Sequence, residues 1–134
     1  MAELLHLTEL ERWRDGTGDI TAPSLATEGF VHASPDEATL LAVAGHFYAA
    51  TPADLVVLVI DTGRLAAEVR WEAAAPSPPP GVPGDTLFPH IYGPIPRTAV
   101  TEVATLRRGP DGTYTGLEPL EDAPAPRPGP ATGR

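Results

Sequence analysis

Cysteine is absent from this 134-residue chain. That excludes a disulfide framework, a thiol nucleophile and a thiolate metal site. No apolar run marks a signal peptide, and none approaches the roughly 20 residues that carry a helix across a bilayer. The expectation is a cytoplasmic protein with no membrane partner. Lysine and arginine number 9 against 18 acidic residues, a formal charge of −9, and no basic stripe interrupts that field. A phosphate backbone is repelled by such a surface, so long nucleic acid is disfavoured as a partner. A small anion is not, because free backbone N–H groups bind phosphate whatever the net charge. The chain also lacks a Gly-rich phosphate loop, a G-x-S-x-G elbow and histidines spaced H-x-x-x-H or H-x-H.

What the chain does have is four short segments that each place two chemically capable side chains two residues apart. They are His6 and Thr8 in LLHLT, His32 and Ser34 in FVHAS, Arg70 and Glu72 in VRWE, and His90 and Tyr92 in FPHIYGP. In an extended strand such pairs share one face, while neighbours such as Leu5 and Leu7 take the other. Three histidines, a charged pair and a phenol are therefore able to converge on one surface.

Two segments share a grammar, His-x-[Thr/Ser]-x-x-Glu, at 6–11 and 32–37. The hydroxyls of Thr8 and Ser34 stand where capping-box residues belong, with Pro35 at the first helical position. The spacing predicts a short helix over 9–14, burying Leu10 and Trp13, and a second over 35–49, with Leu40, Leu41, Ala44, Phe47 and Tyr48 on its apolar stripe. LVVLVID (55–61) reads as a buried strand. Residues 67–72 alternate, with Trp71 expected to pack inward. A further strand is expected over 98–106, with a turn at Asp111-Gly112 leading into Tyr114. The Pro-rich stretch 73–87 reads as a mobile surface loop, with a lid that closes on ligand as the second reading, and 118–134 as a disordered Pro/Gly-rich tail. The sum is a single α+β domain over 3–117, large enough for its own core.

Each candidate carries two readings. Thr8 and Ser34 serve as caps, contact a ligand, or do both. His6 and His32 are satisfied core histidines, or neutral imidazoles beside an anion at a helix N-terminus. Arg70 and Glu72 form an exposed ion pair, or belong to a site. His90 and Tyr92, between Pro89 and Pro94 with Gly93, suggest a rigid turn of the kind that shapes a binding site. His46 reads as an exposed helix residue. Histidines on three separate segments are poor support for a metal centre, and no metal is expected.

The motifs LLHLT, PSLATEGFVHAS, DLVVLVID, EVRWE and FPHIYGPIP, in that order, resemble the domain of unknown function 952 family from Leu4 to about Val103. The resemblance implies a fold similar to the ADP-ribosyltransferases and RNA 2′-phosphotransferases, with two small bent antiparallel sheets, a cleft, and two or three short helices. It implies NAD or a related nucleotide as cofactor or ligand. His6 would meet a ribose, and His32 with Ser34 a diphosphate or second ribose. Glu72 would be the catalytic carboxylate, with His6 and His32 as its catalytic partners. Thr8, Arg70, His90 and Tyr92 would bind ligand. The implied function is an ADP-ribosyl- or phosphotransferase-like enzyme. The alternative, motivated by the repeated cap grammar, is a non-catalytic module that binds a nucleotide or small anion through the two helix N-termini. In either case a monomer or weak dimer is expected.

Overall fold

A computed structural model of the chain describes residues 3–16, 18–49, 51, 54–74, 80–111 and 113–120. Among these residues, seven strands and three α-helices occur in the order β1 (Glu3–Glu9), α1 (Leu10–Asp15), α2 (Pro23–Thr27), β2 (Val31–His32), α3 (Glu37–Phe47), β3 (Leu55–Asp61), β4 (Val69–Ala73), β5 (Leu87–Ile91), β6 (Val100–Arg108) and β7 (Tyr114–Pro119). They build two antiparallel sheets, one ordered β1-β3-β6-β7 and the other β2-β5-β4. This is a mixed α+β fold with few helices.

The apolar run of β3 makes it an inner strand of the larger sheet, buried on both faces. Val56, Leu58 and Ile60 point into the inter-sheet core with Leu4, Val31 and Ile91. Val57 points the other way, against Leu40 of α3 and Ala104 of β6. Backbone hydrogen bonds also link the two sheets, where Leu5 and Ser34 bond each other at 2.9 and 2.7 Å. β1 thus edges one sheet and touches the strand entering from the other.

Several expectations are corrected. Neither Thr8 nor Ser34 caps a helix. Thr8 lies within β1, and Glu9 precedes α1 without a side-chain cap. The cap of α3 is Asp36, whose carboxylate accepts from the Thr39 N–H at 2.8 Å. Pro35 lies before that helix, which is shorter than 35–49. The hydroxyls at 8 and 34 are instead held in extended backbone and buried.

Trp71 does not pack inward but stands 49% exposed on an outer strand, and Phe47, at the end of α3, is 63% exposed. His90 lies within β5 rather than in a turn. Glu118 and Pro119 belong to β7, while Gly112 and residues 121–134 lie outside the described residues, as do 75–79 of the Pro-rich stretch. α2 was not expected. Pro23 starts it, and Gly29, at φ 92°, turns the chain from it into β2, a conformation that disfavours other residues. No described helix is long and apolar enough to cross a membrane.

Candidate functional site

The smaller sheet aligns three candidate residues in a row. His32 of β2 stands opposite His90 of β5, which in turn stands opposite Arg70 of β4. Directly opposed residues share a face, and so do residues two apart. Phe30, His32, His90, Tyr92, Arg70 and Glu72 therefore decorate one face. The other face presents Val31 and Ile91 to the inter-sheet core.

Glu72 organises this surface. Its Oε1 accepts from His90 Nδ1 and from the Tyr92 hydroxyl, each at 2.7 Å. These two donors, His90 first, hold the Glu72 carboxyl below the usual range, and the Glu72 carboxylate in turn raises the Tyr92 phenol. Glu72 is thus an anion and Tyr92 a neutral donor at physiological pH. Because a carboxylate only accepts, His90 Nδ1 carries a proton, and in the neutral ring Nε2 carries the lone pair.

Aromatic contacts lock the ring. Phe30 stacks on His90 with centroids 4.0 Å apart and planes 16° from parallel. His32 meets His90 edge-on at 5.3 Å. The Arg70 guanidinium lies 4.6 Å from the centre of the Tyr92 ring and pairs with Glu68 at 3.1 Å. His90 is buried by this packing, while His32 is largely exposed and its Nε2 lies 3.3 Å from Glu28.

His6 stands apart. With Leu4 and Thr8 it is on the core side of β1, where its partners are Leu58 and neighbouring β3 residues. It is 3% exposed. Nδ1 donates to the His32 backbone carbonyl at 2.8 Å, and the buried Nε2 has no hydrogen-bond partner among the described residues. Burial, above all, pulls its pKa down to about 4, so the ring is neutral at pH 7.

Of the eight expected site residues, His32, Arg70, Glu72, His90 and Tyr92 come together. His6 reaches them only through the His32 backbone. Thr8 shares the core face of β1 with His6, and Ser34 is buried at the junction with Leu5. Phe30 and Glu28 were missed. Phe30 was accessible by the same two-residue spacing that linked His32 to Ser34. A separate hollow, lined by Leu10, Asp54, Leu55, Arg108 and Tyr114 among others, opens where β1 ends and β3 begins. No expected site residue lines it.

These features define a small α+β protein of two antiparallel sheets with a histidine–carboxylate cluster on the outer face of the smaller one. The chain belongs to the family described as "Protein of unknown function (DUF952)", which matches residues 5–103. Among solved structures it is similar to protein CC0527 from Caulobacter crescentus. The crystal structure of that protein gives a TM-score of 0.57 at 24% identity, covering 85% of this chain and 94% of that one. Its solution NMR structure gives 0.61 at 22% identity, covering 85% and 92%. This likeness shows a shared fold. No curated protein matches the chain.

Proposed function

We propose that the outer face of the smaller sheet is an acid–base site for a small phosphorylated ligand, with NAD and related nucleotides the first class to test. The observation that carries this reading is the single Glu72 oxygen that receives both His90 Nδ1–H and Tyr92 O–H. A carboxylate so placed fixes the imidazole tautomer and stabilises the imidazolium formed when Nε2 takes a proton. His90 is then the general base toward a ligand hydroxyl. His32 is the second imidazole, and Arg70 is the cation facing a phosphate. Phe30 supplies an aromatic surface of the kind a nucleobase or nicotinamide covers.

In the transferase form of this reading, the acceptor hydroxyl gives its proton to His90 Nε2 and bonds to the transferred ADP-ribosyl or phosphoryl group. The donor bond breaks at the same time: the ribose–nicotinamide bond of NAD, releasing nicotinamide, or a P–O bond of a phosphorylated donor, releasing its alcohol or nucleoside phosphate. This departs from a scheme in which Glu72 itself faces an oxocarbenium centre. Glu72 is here a positioning residue with its near oxygen already engaged. His6 is a positioning residue as well, setting the His32 backbone from inside the core.

The alternative is a non-catalytic module binding the same ligands. It is favoured by the engagement of Arg70 with Glu68 and of His32 with Glu28, which leaves both groups positioned without a dedicated proton path. The repeated-cap version of that module has lost its footing with Thr8 and Ser34.

A thermal-shift screen with NAD, ADP-ribose, nucleoside phosphates and inorganic phosphate tests ligand class, since binding stabilises only the folded state. His90→Gln and Glu72→Gln then separate the two forms. An enzyme loses turnover in both variants while retaining ligand stabilisation, whereas a binder consumes no nucleotide at all. Absence of any stabilisation by these ligands overturns the nucleotide reading.

A further inference from the structure

β4 is an outer strand of the smaller sheet, and its backbone alternation shows which groups remain available. The Tyr92 N–H donates to the Glu68 carbonyl at 2.8 Å, and Arg70 and Glu72 stand opposite His90 and Phe88. The even-numbered residues therefore turn their backbone groups toward β5, and Val69, Trp71 and Ala73 turn theirs outward. No backbone pairing to that outward edge occurs among the described residues. Proteins commonly blunt such edges with proline or a bulge. β4 reads VRWEA and pairs with β5 without a register shift, so it has neither; it carries charge, the other common guard, but as one cation and one anion that complement a second copy. It also presents Trp71, half exposed.

The geometry points to a homodimer in which β4 pairs antiparallel with β4 of a second copy, Trp71 opposite Trp71 and Arg70 opposite the partner's Glu72. Parity, hydrogen bonding and charge select this register. A two-fold axis perpendicular to the sheet keeps each face continuous, so even residues oppose even ones. Outward backbone groups must also meet outward groups, so odd residues oppose odd ones.

Overlap and charge decide between the registers that remain. Centring on Val69 also sets Arg70 against a glutamate, the partner's Glu68, but pairs only Val69 with a residue of the other β4, whereas centring on Trp71 pairs all five strand residues. Centring the pair on Arg70 sets arginine against arginine and Glu68 against the partner's Glu72. Centring it on Glu72 sets glutamate against glutamate. Directly opposed like charges destabilise a ladder. Centring on Trp71 instead creates two Arg–Glu pairs, at the non-hydrogen-bonded positions where side chains approach most closely.

The second copy thereby enters the candidate site. Within one copy, Glu72 Oε1 is occupied by His90 and Tyr92, and Oε2 has no hydrogen bond from the described residues. The partner's Arg70 stands opposite and takes it by turning from its exposed pairing with Glu68. The inference requires no catalytic role for His90, so a failed turnover assay leaves it untouched. One strand pair and one aromatic contact form a small interface, so association is weak.

Sedimentation velocity of the full chain over a concentration series is the test. The wild type is expected to move from monomer toward dimer as concentration rises. Arg70→Glu alone and Glu72→Arg alone each place like charges opposite one another and weaken the dimer by about tenfold or more. An equimolar mixture of these two variants restores complementary pairs and associates as well as wild type. Trp71→Lys removes the central contact without touching the β5 ladder and also yields monomer, so it decides the matter if a charge variant does not fold. A wild type that stays monomeric throughout, a dimer as strong in Trp71→Lys as in wild type, or a mixture of folded charge variants that fails to associate would each overturn the inference.

Discussion

The imidazole of His6 donates from Nδ1 to the carbonyl of His32, 2.8 Å away, where the backbone pairing of Leu5 with Ser34 stops. Leu5 and Ser34 form a hydrogen-bonded pair. Continuing that ladder would bring the Leu7 N–H to the His32 carbonyl, two residues along. The His6 ring takes that acceptor instead. That carbonyl is satisfied, and β1 is free to diverge from β2 into the larger sheet.

This burial has a pH signature. The folded-state pKa of His6 is lowered from 6.5 to about 4, mainly by desolvation. Between those values the unfolded chain binds a proton that the folded chain refuses. The stability contribution is therefore full above about pH 6.5 and lost as pH falls toward 4, a change on the order of 3 kcal/mol. Urea unfolding midpoints measured across that range should fall with pH. His6→Asn keeps a donor at the Nδ1 position and does not titrate, so its profile should be markedly flatter. An unchanged slope in that variant would assign the pH dependence elsewhere.

The start of α3 supplies a second expectation. Asp36, not Ser34, accepts from the Thr39 N–H. Asp36→Ala should cost about 1 kcal/mol, the ordinary worth of an N-cap, read as a lowered melting temperature. Asp36→Asn should recover most of it. Ser34→Ala should leave helix capping untouched.

Arg97 supplies a third. Its guanidinium donates to the carbonyls of Gly18, Trp13 and Arg12 at 2.8, 2.9 and 3.3 Å and lies 4.8 Å from the centre of the Trp13 ring. It thus satisfies carbonyls at the end of α1 and ties that helix to the segment before β6. Arg97→Met should destabilise the fold by about 2 kcal/mol, from lost charge-assisted hydrogen bonds. Arg97→Lys should recover only part, because one ammonium group cannot span three carbonyls with the same planar geometry. Chemical denaturation of the three proteins provides the comparison.

How much of this was legible beforehand follows from the range of the forces involved. The apolar run 55–61 announced β3 because a strand buried on both faces needs no alternation. The two-residue spacing correctly put His32, His90, Tyr92, Arg70 and Glu72 on shared strand faces. Spacing alone leaves open which face is covered. Trp71 therefore went to the wrong environment, and His6 fell on the core side of its sheet rather than beside His90. The cap at Asp36 was hidden because the pattern around Ser34 satisfies the same rule two residues earlier. Helix α2 is too short to show periodicity. Arg97 acts across roughly 80 residues of sequence, a relationship that no local pattern carries.

The functional reading turns on the protonation pattern of one ring, and nitrogen-15 NMR of the histidines measures it directly. With Glu72 accepting from Nδ1, the neutral form of the His90 ring should show a protonated Nδ1 and a bare Nε2, and Glu72→Gln should loosen that preference. A wild-type spectrum with the proton on Nε2, or with both tautomers averaged as in free imidazole, would contradict the assignment of His90 as a base poised by Glu72.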